Sequence, residues 1–192
     1  MAGAVTPRQS GPKYRGLRMN AEQYLALPDD GYRYELIDGV ITMSPSPSFK
    51  HQDLSSEIVT QLRTFLRNNP IGKAVAEVDV RLSDGLVYRP DLIFLDSEKA
   101  ARCGTRVTEI PDLVVEVVSA DSRSYDSVTK KGDYEAAGIA EYWLIDPGMR
   151  KFTFYRLVDG RYVEQQADAD RFKSSVVKDF ELDLAGLRKI IE

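Results

Sequence analysis

One cysteine and one histidine are all that 192 residues contain of those two types, and the scarcity excludes whole classes of chemistry. Cys103 alone cannot form an intramolecular disulfide or a cysteine zinc cluster, which points to a reducing compartment. His51 alone rules out any site that needs two histidines from one chain, the HExxH zinc hydrolases among them. No apolar run approaches the roughly 18 residues of a membrane span. The first residues lack the apolar core of a secretory signal, so the expectation is a cytoplasmic protein with no membrane partner. An excess of positive charge is also missing. Lys and Arg number 26 against 30 Asp and Glu, leaving a net charge of -4. A general nucleic-acid coat protein would be basic. The balance still leaves room for an enzyme with an acidic site and a local basic rim.

What is present reads as an ordinary globular chain, 43% hydrophobic and 29% charged. The expected organisation is a flexible basic arm over residues 1–18 and one domain over 19–192. The arm carries Arg8, Lys13, Arg15 and Arg18 among Gly, Pro and Ser, with no periodicity. Asn20 and Gln23 have capping-box spacing for a short helix. Tyr32–Ile37 and Val40–Met43 flank Asp38-Gly39, the strongest hairpin signal in the chain. Leu54, Ile58, Leu62 and Phe65 form a helical stripe over 51–68, with His51 one turn earlier on the same face. Alternation over 74–82 predicts a half-buried strand, which Asp84-Gly85 turns into a second strand over 87–95. Residues 96–110 read as a polar loop with room for a short helix. A strand over 112–118 follows, then a helix from Ser124 to Ala137 that Gly138 ends. Tyr142–Ile145 reads as a buried strand. A hairpin across Asp159-Gly160 joins 151–158 to 161–164, and the last ten residues close with a short helix.

Two stretches in the middle are close copies of each other: Arg89-Pro90-Asp91-Leu92-Ile93-Phe94-Leu95 and Pro111-Asp112-Leu113-Val114-Val115-Glu116-Val117-Val118-Ser119. Each has the aliphatic character of a buried strand, and each carries a carboxylate where such a strand should have none. Alternation places Glu116 on one face between Val114 and Val118. An ionised carboxylate there is costly unless a cation compensates it. A divalent metal would serve, and so would a lysine.

From 51 to 146 the order is helix, strand, strand, strand, helix, strand, an α/β arrangement in which an antiparallel hairpin feeds a central sheet. With acids on its second and third strands, this core resembles the PD-(D/E)XK nuclease superfamily. More closely, the chain resembles the large bacterial family of putative restriction endonucleases called Uma. The pieces that carry the likeness are Tyr34-Glu35-Leu36-Ile37-Asp38-Gly39, His51-Gln52, Arg89-Pro90-Asp91 and Val115-Glu116-Val117-Val118-Ser119. They continue with Asp126, Lys130 and Tyr134, and with Gly138-Ile139-Ala140-Glu141-Tyr142-Trp143-Leu144-Ile145-Asp146-Pro147, so that the set spans residues 20–150 in order.

The resemblance implies a restriction-endonuclease-like fold with added N-terminal and C-terminal β-hairpins. It implies that Asp91 and Glu116 bind Mg²⁺, for which Mn²⁺ can substitute, with nucleic acid, expected to be DNA, as the partner and a homodimer as a candidate assembly. Hard cations take oxygen ligands, often one or two carboxylates plus waters and a substrate phosphate. The superfamily would place a lysine two residues after Glu116, where Val118 stands. The Uma pattern implies that the lysine has moved to the following helix as Lys130, which shares a helical face with Asp126 and Tyr134. Glu35 and His51 are further site candidates, and Arg89 and Lys131 candidate substrate-binding cations.

Blander roles exist for the same residues. Asp91 could form a turn contact, Glu116 could pair with Lys130 or Arg89 without metal, and Glu35 could hydrogen-bond the hairpin. A Ser119–His51–Asp triad lacks the strand-turn-helix glycine motif it would need. The alternative to an enzyme is a catalytically weak nucleic-acid or protein binding module on the same fold.

Overall fold

The computed structural model describes residues 11–44, 46–119 and 122–192. Helix α1 (Ala21–Leu25) opens the domain, closed by the full capping box that Asn20 and Gln23 form. Hairpin β1 (Tyr34–Ile37) and β2 (Val40–Met43) turns through Asp38 and Gly39, both at positive φ, which matches the strand twist. The 20-residue helix α2 (Phe49–Asn68) follows, capped by Ser48. It buries Leu54, Ile58 and Leu62 along the expected stripe.

The alternating stretch after α2 is not one strand. It divides into β3 (Gly72–Ala76) and β4 (Val80–Ser83), because Glu77 takes a left-handed backbone with φ of 53°. The partner stretch divides as well, into β5 (Leu86–Tyr88) and β6 (Leu92–Asp96), at Arg89-Pro90. Proline cannot donate to a ladder, so the second break has a direct cause. Each half then joins a different sheet. The rest of the chain runs through α3 (Ser97–Arg102), β7 (Leu113–Val117), a π-helical turn (Tyr125–Lys130) and α4 (Lys131–Ala136). It continues through β8 (Glu141–Asp146), β9 (Lys151–Val158) and β10 (Arg161–Gln165). A hairpin not anticipated from the sequence, β11 (Arg171–Lys173) with β12 (Glu181–Asp183), precedes α5 (Leu184–Ile191).

The main sheet has six strands in the order β10-β9-β8-β7-β6-β3. Only β7 and β8 are parallel, joined by the π-turn and α4 as a crossover. One face packs on α2, α5 and the β11–β12 hairpin, burying Leu113, Val115, Val117 and Trp143. The other buries Val114, Val118 and a tyrosine group that includes Tyr88, Tyr134 and Tyr142. The smaller sheet, ordered β2-β1-β5-β4, lies over a separate cluster around Tyr24, Tyr34 and Leu36.

The arm expected over 1–18 meets a correction in its described part. Gly16 N–H donates to Ile41 O at 2.8 Å and Met19 N–H to Gly39 O at 2.9 Å, so this segment docks along β2. Residues 1–10 lie outside the described residues. No helix of the described residues is long and apolar enough to cross a membrane.

Candidate active site

A cavity of about 400 Å³ opens where the two sheets, the start of α2 and the π-turn meet. Strand pairing explains why acids converge there. Leu92 of β6 faces Val115 of β7, and Asp91 stands just before Leu92 with Glu116 just after Val115. The Asp91 carboxylate accepts the Val117 N–H at 2.7 Å, which locks the entrance of β6 to the neighbouring strand. Glu35 arrives from β1, and one of its oxygens accepts the Arg89 N–H at 3.1 Å. The break at Arg89-Pro90 is therefore part of the site's construction.

Lys130 lies at the floor, buried together with Glu35, Asp91, Glu116 and Asp126. Its ammonium is 2.9 Å from Glu116 Oε1, 3.2 Å from Glu35 Oε1 and 3.7 Å from Asp126 Oδ1. Tyr134 donates its hydroxyl to Glu116 Oε1 at 2.7 Å. The wider π-turn still sets Asp126 and Lys130, four residues apart, on one face, and such turns recur at functional sites. Ser122 donates to Asp126 at 2.5 Å, and His51 Nε2 reaches Asp91 Oδ2 at 3.2 Å.

Charge in this pocket is unbalanced. Burial, together with Asp91, Asp126 and Glu35 against the single opposing Lys130, pushes the Glu116 carboxyl up to about 8. Burial likewise raises Asp126, with Lys130 and Ser122 pulling back. Burial alone would lower Lys130, but Glu116, Glu35 and Asp126 outweigh it and hold the ammonium protonated. Burial also works against a charged His51, yet the hydrogen bond and charge of Asp91 leave it above its ordinary value. Four buried carboxylates thus share one lysine and one histidine. Such a deficit fits a hard cation, and a bound divalent ion would reverse the pressure on Glu116. Among the described residues no three His, Cys, Asp or Glu side chains are grouped so that they could hold a metal ion between them. The donors present suit an open site, in which Asp91 and Glu116 would share coordination with water and a phosphate.

The sequence candidates divide. Asp91, Glu116, Lys130, Glu35 and His51 come together around the one cavity. Of the two candidate substrate-binding cations, Arg89 reaches the cavity lining, and Lys131 needs correcting because it does not. Arg89 lines the cavity and commits its Nε to Asp79 at 2.8 Å. Lys131 stacks its ammonium 4.7 Å over the Tyr155 ring, outside the cavity lining. Asp126, Tyr134 and Arg33 had no assigned role and take part directly. Arg33, just before β1, lines the cavity at period two with Glu35 and Ile37, so the alternation of the stretch running into β1 already carried its signal.

Comparison with known proteins adds the following. The profile of the Uma2 family, described as putative restriction endonuclease, matches residues 21–185. A crystal structure of a putative nuclease belonging to DUF820, from Anabaena variabilis, superposes with a TM-score of 0.77 at 22% identity. That match covers 91% of this chain and 99% of the other, and it shows a shared fold. A DrdV–DNA complex matches with a TM-score of 0.35 at 16% identity, over 74% of this chain and 13% of that one, too weak to carry an argument. No curated protein matches.

Proposed function

Because this chain belongs to the Uma2 family of putative restriction endonucleases, we propose that its cavity hydrolyses phosphodiester bonds in DNA with the help of Mg²⁺. The observation that carries this reading is the surplus of buried carboxylate at one spot. Asp91, Glu116, Glu35 and Asp126 sit beside a single ammonium, and an inert core has no use for so costly a set. Asp91 and Glu116 would hold the ion, which when bound acidifies a water and stabilises charge on the leaving oxygen. Lys130, fixed by Glu116, Glu35 and Asp126, keeps a positive charge at the floor where the phosphoryl oxygens approach. Tyr134 orients Glu116 through its hydroxyl, and His51 fixes one oxygen of Asp91 so that the other is free to bind.

A second reading has one observation in its favour. Lys130 already touches three carboxylates, as a purely structural ion-paired core would require. Calorimetry with Mn²⁺ separates the two. The nuclease reading expects binding that Asp91→Ala or Glu116→Ala removes, together with nicking of supercoiled plasmid in Mg²⁺. Metal affinity equal in wild type and both variants would refute it.

A further inference from the structure

The phosphate that enters this cavity meets a floor already claimed by carboxylates. Lys130 is flanked by three carboxylates, Arg89 gives its Nε to Asp79, and Lys131 lies over Tyr155. Of the two lining guanidiniums, Arg33 is the one whose Nε has no hydrogen-bond partner among the described residues. Arg33 precedes Glu35 by two residues, faces the same cavity, and keeps 28% of its side chain exposed. Among the described residues its guanidinium bonds only Glu77 Oε1, through Nη1 at 3.1 Å. The rest of its planar donor fork is open to a bidentate contact with a phosphate.

The frame that holds Arg33 is unusual. Glu77 has a left-handed backbone, with φ of 53°, that a residue carrying a Cβ adopts only at a cost. From there its side chain accepts from Arg33 and also from Gln52 Nε2 at 3.1 Å. Its own N–H donates to Asp91 O at 3.2 Å. One strained residue therefore ties the guanidinium at the mouth to the backbone of the deep aspartate. Neither strand that Glu77 separates needs its carboxylate for pairing, and backbone strain of this kind gathers at functional sites.

We propose that Arg33 forms a phosphate-binding subsite at the mouth of the cavity, with Glu77 and Gln52 as its positioning frame. The proposal rests on the nucleic-acid reading of the same cavity. Arg33 binds a non-bridging phosphate oxygen of the strand next to the one being cut, and Glu77 holds the fork so that it faces inward. Glu77 acts only through Arg33. Its removal deletes a negative charge near DNA, which simple charge counting says should strengthen binding; a positioning role says the opposite.

The test measures binding of a short fluorescein-labelled DNA duplex to the full chain in EDTA, across a range of NaCl, beside plasmid nicking in Mg²⁺. Arg33→Ala should weaken duplex binding about tenfold and lower the salt slope by about one, the signature of one lost phosphate contact. Its KM for nicking should rise about tenfold with kcat changed less than about threefold. Glu77→Ala should also weaken binding, Glu77→Gln should retain most of it, and both should keep the Mn²⁺ affinity of wild type. Arg188→Ala, on α5, controls for nonspecific loss of charge and should leave the slope unaltered. An unchanged slope in Arg33→Ala, or tighter binding in Glu77→Ala, overturns the subsite whether or not the wild type nicks DNA. A wild type that binds duplex without nicking removes the nuclease reading while the slope still decides on Arg33. A wild type that binds no duplex overturns both.

Discussion

Replacing Glu116 by glutamine keeps the size and the acceptor atom that Lys130 and Tyr134 use, and removes one charge from the acidic floor. The sign of its effect depends on pH. Glu116 titrates near 8 in the fold, against about 4.3 for an unfolded glutamate. Below the lower value the carboxyl is protonated in both states, so its stabilising contribution is fully present. As pH rises through the window, the unfolded chain gives up its proton first, and the fold loses about 1.4 kcal/mol per pH unit. The whole window amounts to at most about 5 kcal/mol. Relaxation of the pocket and entry of water take up part of this penalty, so we expect a loss of roughly 2 kcal/mol. Glu116→Gln has no such loss. At pH 8.5 in EDTA it should therefore be the more stable protein by roughly 2 kcal/mol, and at pH 4.5 the two should nearly coincide. Lys130 is not stranded in the variant, because Glu35 and Asp126 still flank it. Mg²⁺ at about 100 times its Kd adds about 2.7 kcal/mol to the wild type and much less to the variant, closing the gap at high pH. Urea unfolding followed by the fluorescence of Trp143, fully buried on β8 beneath the β11–β12 hairpin, reports each of these conditions. A variant clearly less stable than wild type at pH 8.5 in EDTA would refute the reasoning and leave an ion-paired core.

Other substitutions probe the same geometry. Lys130→Met should reduce plasmid nicking by about 10²-fold or more, whereas Lys131→Met, which loses only a contact over Tyr155, should be nearly silent; equal effects would dissociate Lys130 from the chemistry, provided circular dichroism shows both variants folded. Gly72→Ala drives a Cβ into the Leu95 carbonyl oxygen and to 2.5 Å from the Phe94 ring, so thermal unfolding should reveal a loss of about 1–3 kcal/mol, and an unchanged melting temperature would mean β3 shifts freely against β6. Glu77→Gly relieves the left-handed strain and should raise stability by up to about 1 kcal/mol while weakening duplex binding; a stable variant that binds duplex normally would separate the strain from function.

Much of the fold was legible because local signals and tertiary needs agree. The Asp38-Gly39 and Asp159-Gly160 turns both take positive φ, as their short side chains and the twist of the flanking strands require. The stripe of α2 and the alternation of β7 were read correctly because burial alone dictates such periods. Where two signals competed, the reading failed. Alternation over 74–82 and the aliphatic run over 87–95 look continuous, yet the chain leaves one sheet for another at Glu77 and at Arg89-Pro90. Alternation reports that a residue is half-buried, not which sheet buries it. The β11–β12 hairpin escaped because its strands are three residues each and carry little pattern.

For the site, the sequence by itself determined that Glu116 stands among valines on a buried strand, since period-two geometry allows its side chain only one face. It also determined that Asp126, Lys130 and Tyr134 share a helical face. The tertiary structure decided what each charge meets. Arg89 and Lys131 read in the sequence as candidate substrate-binding cations, but one gives its Nε to Asp79 and the other lies over Tyr155. Arg33 drew no notice, yet it lines the cavity. Periodicity sets the direction of a side chain relative to its own element, through bond geometry. Whether a charge ends beside a carboxylate, a ring or open solvent depends on elements far away in the chain, and only packing brings those together.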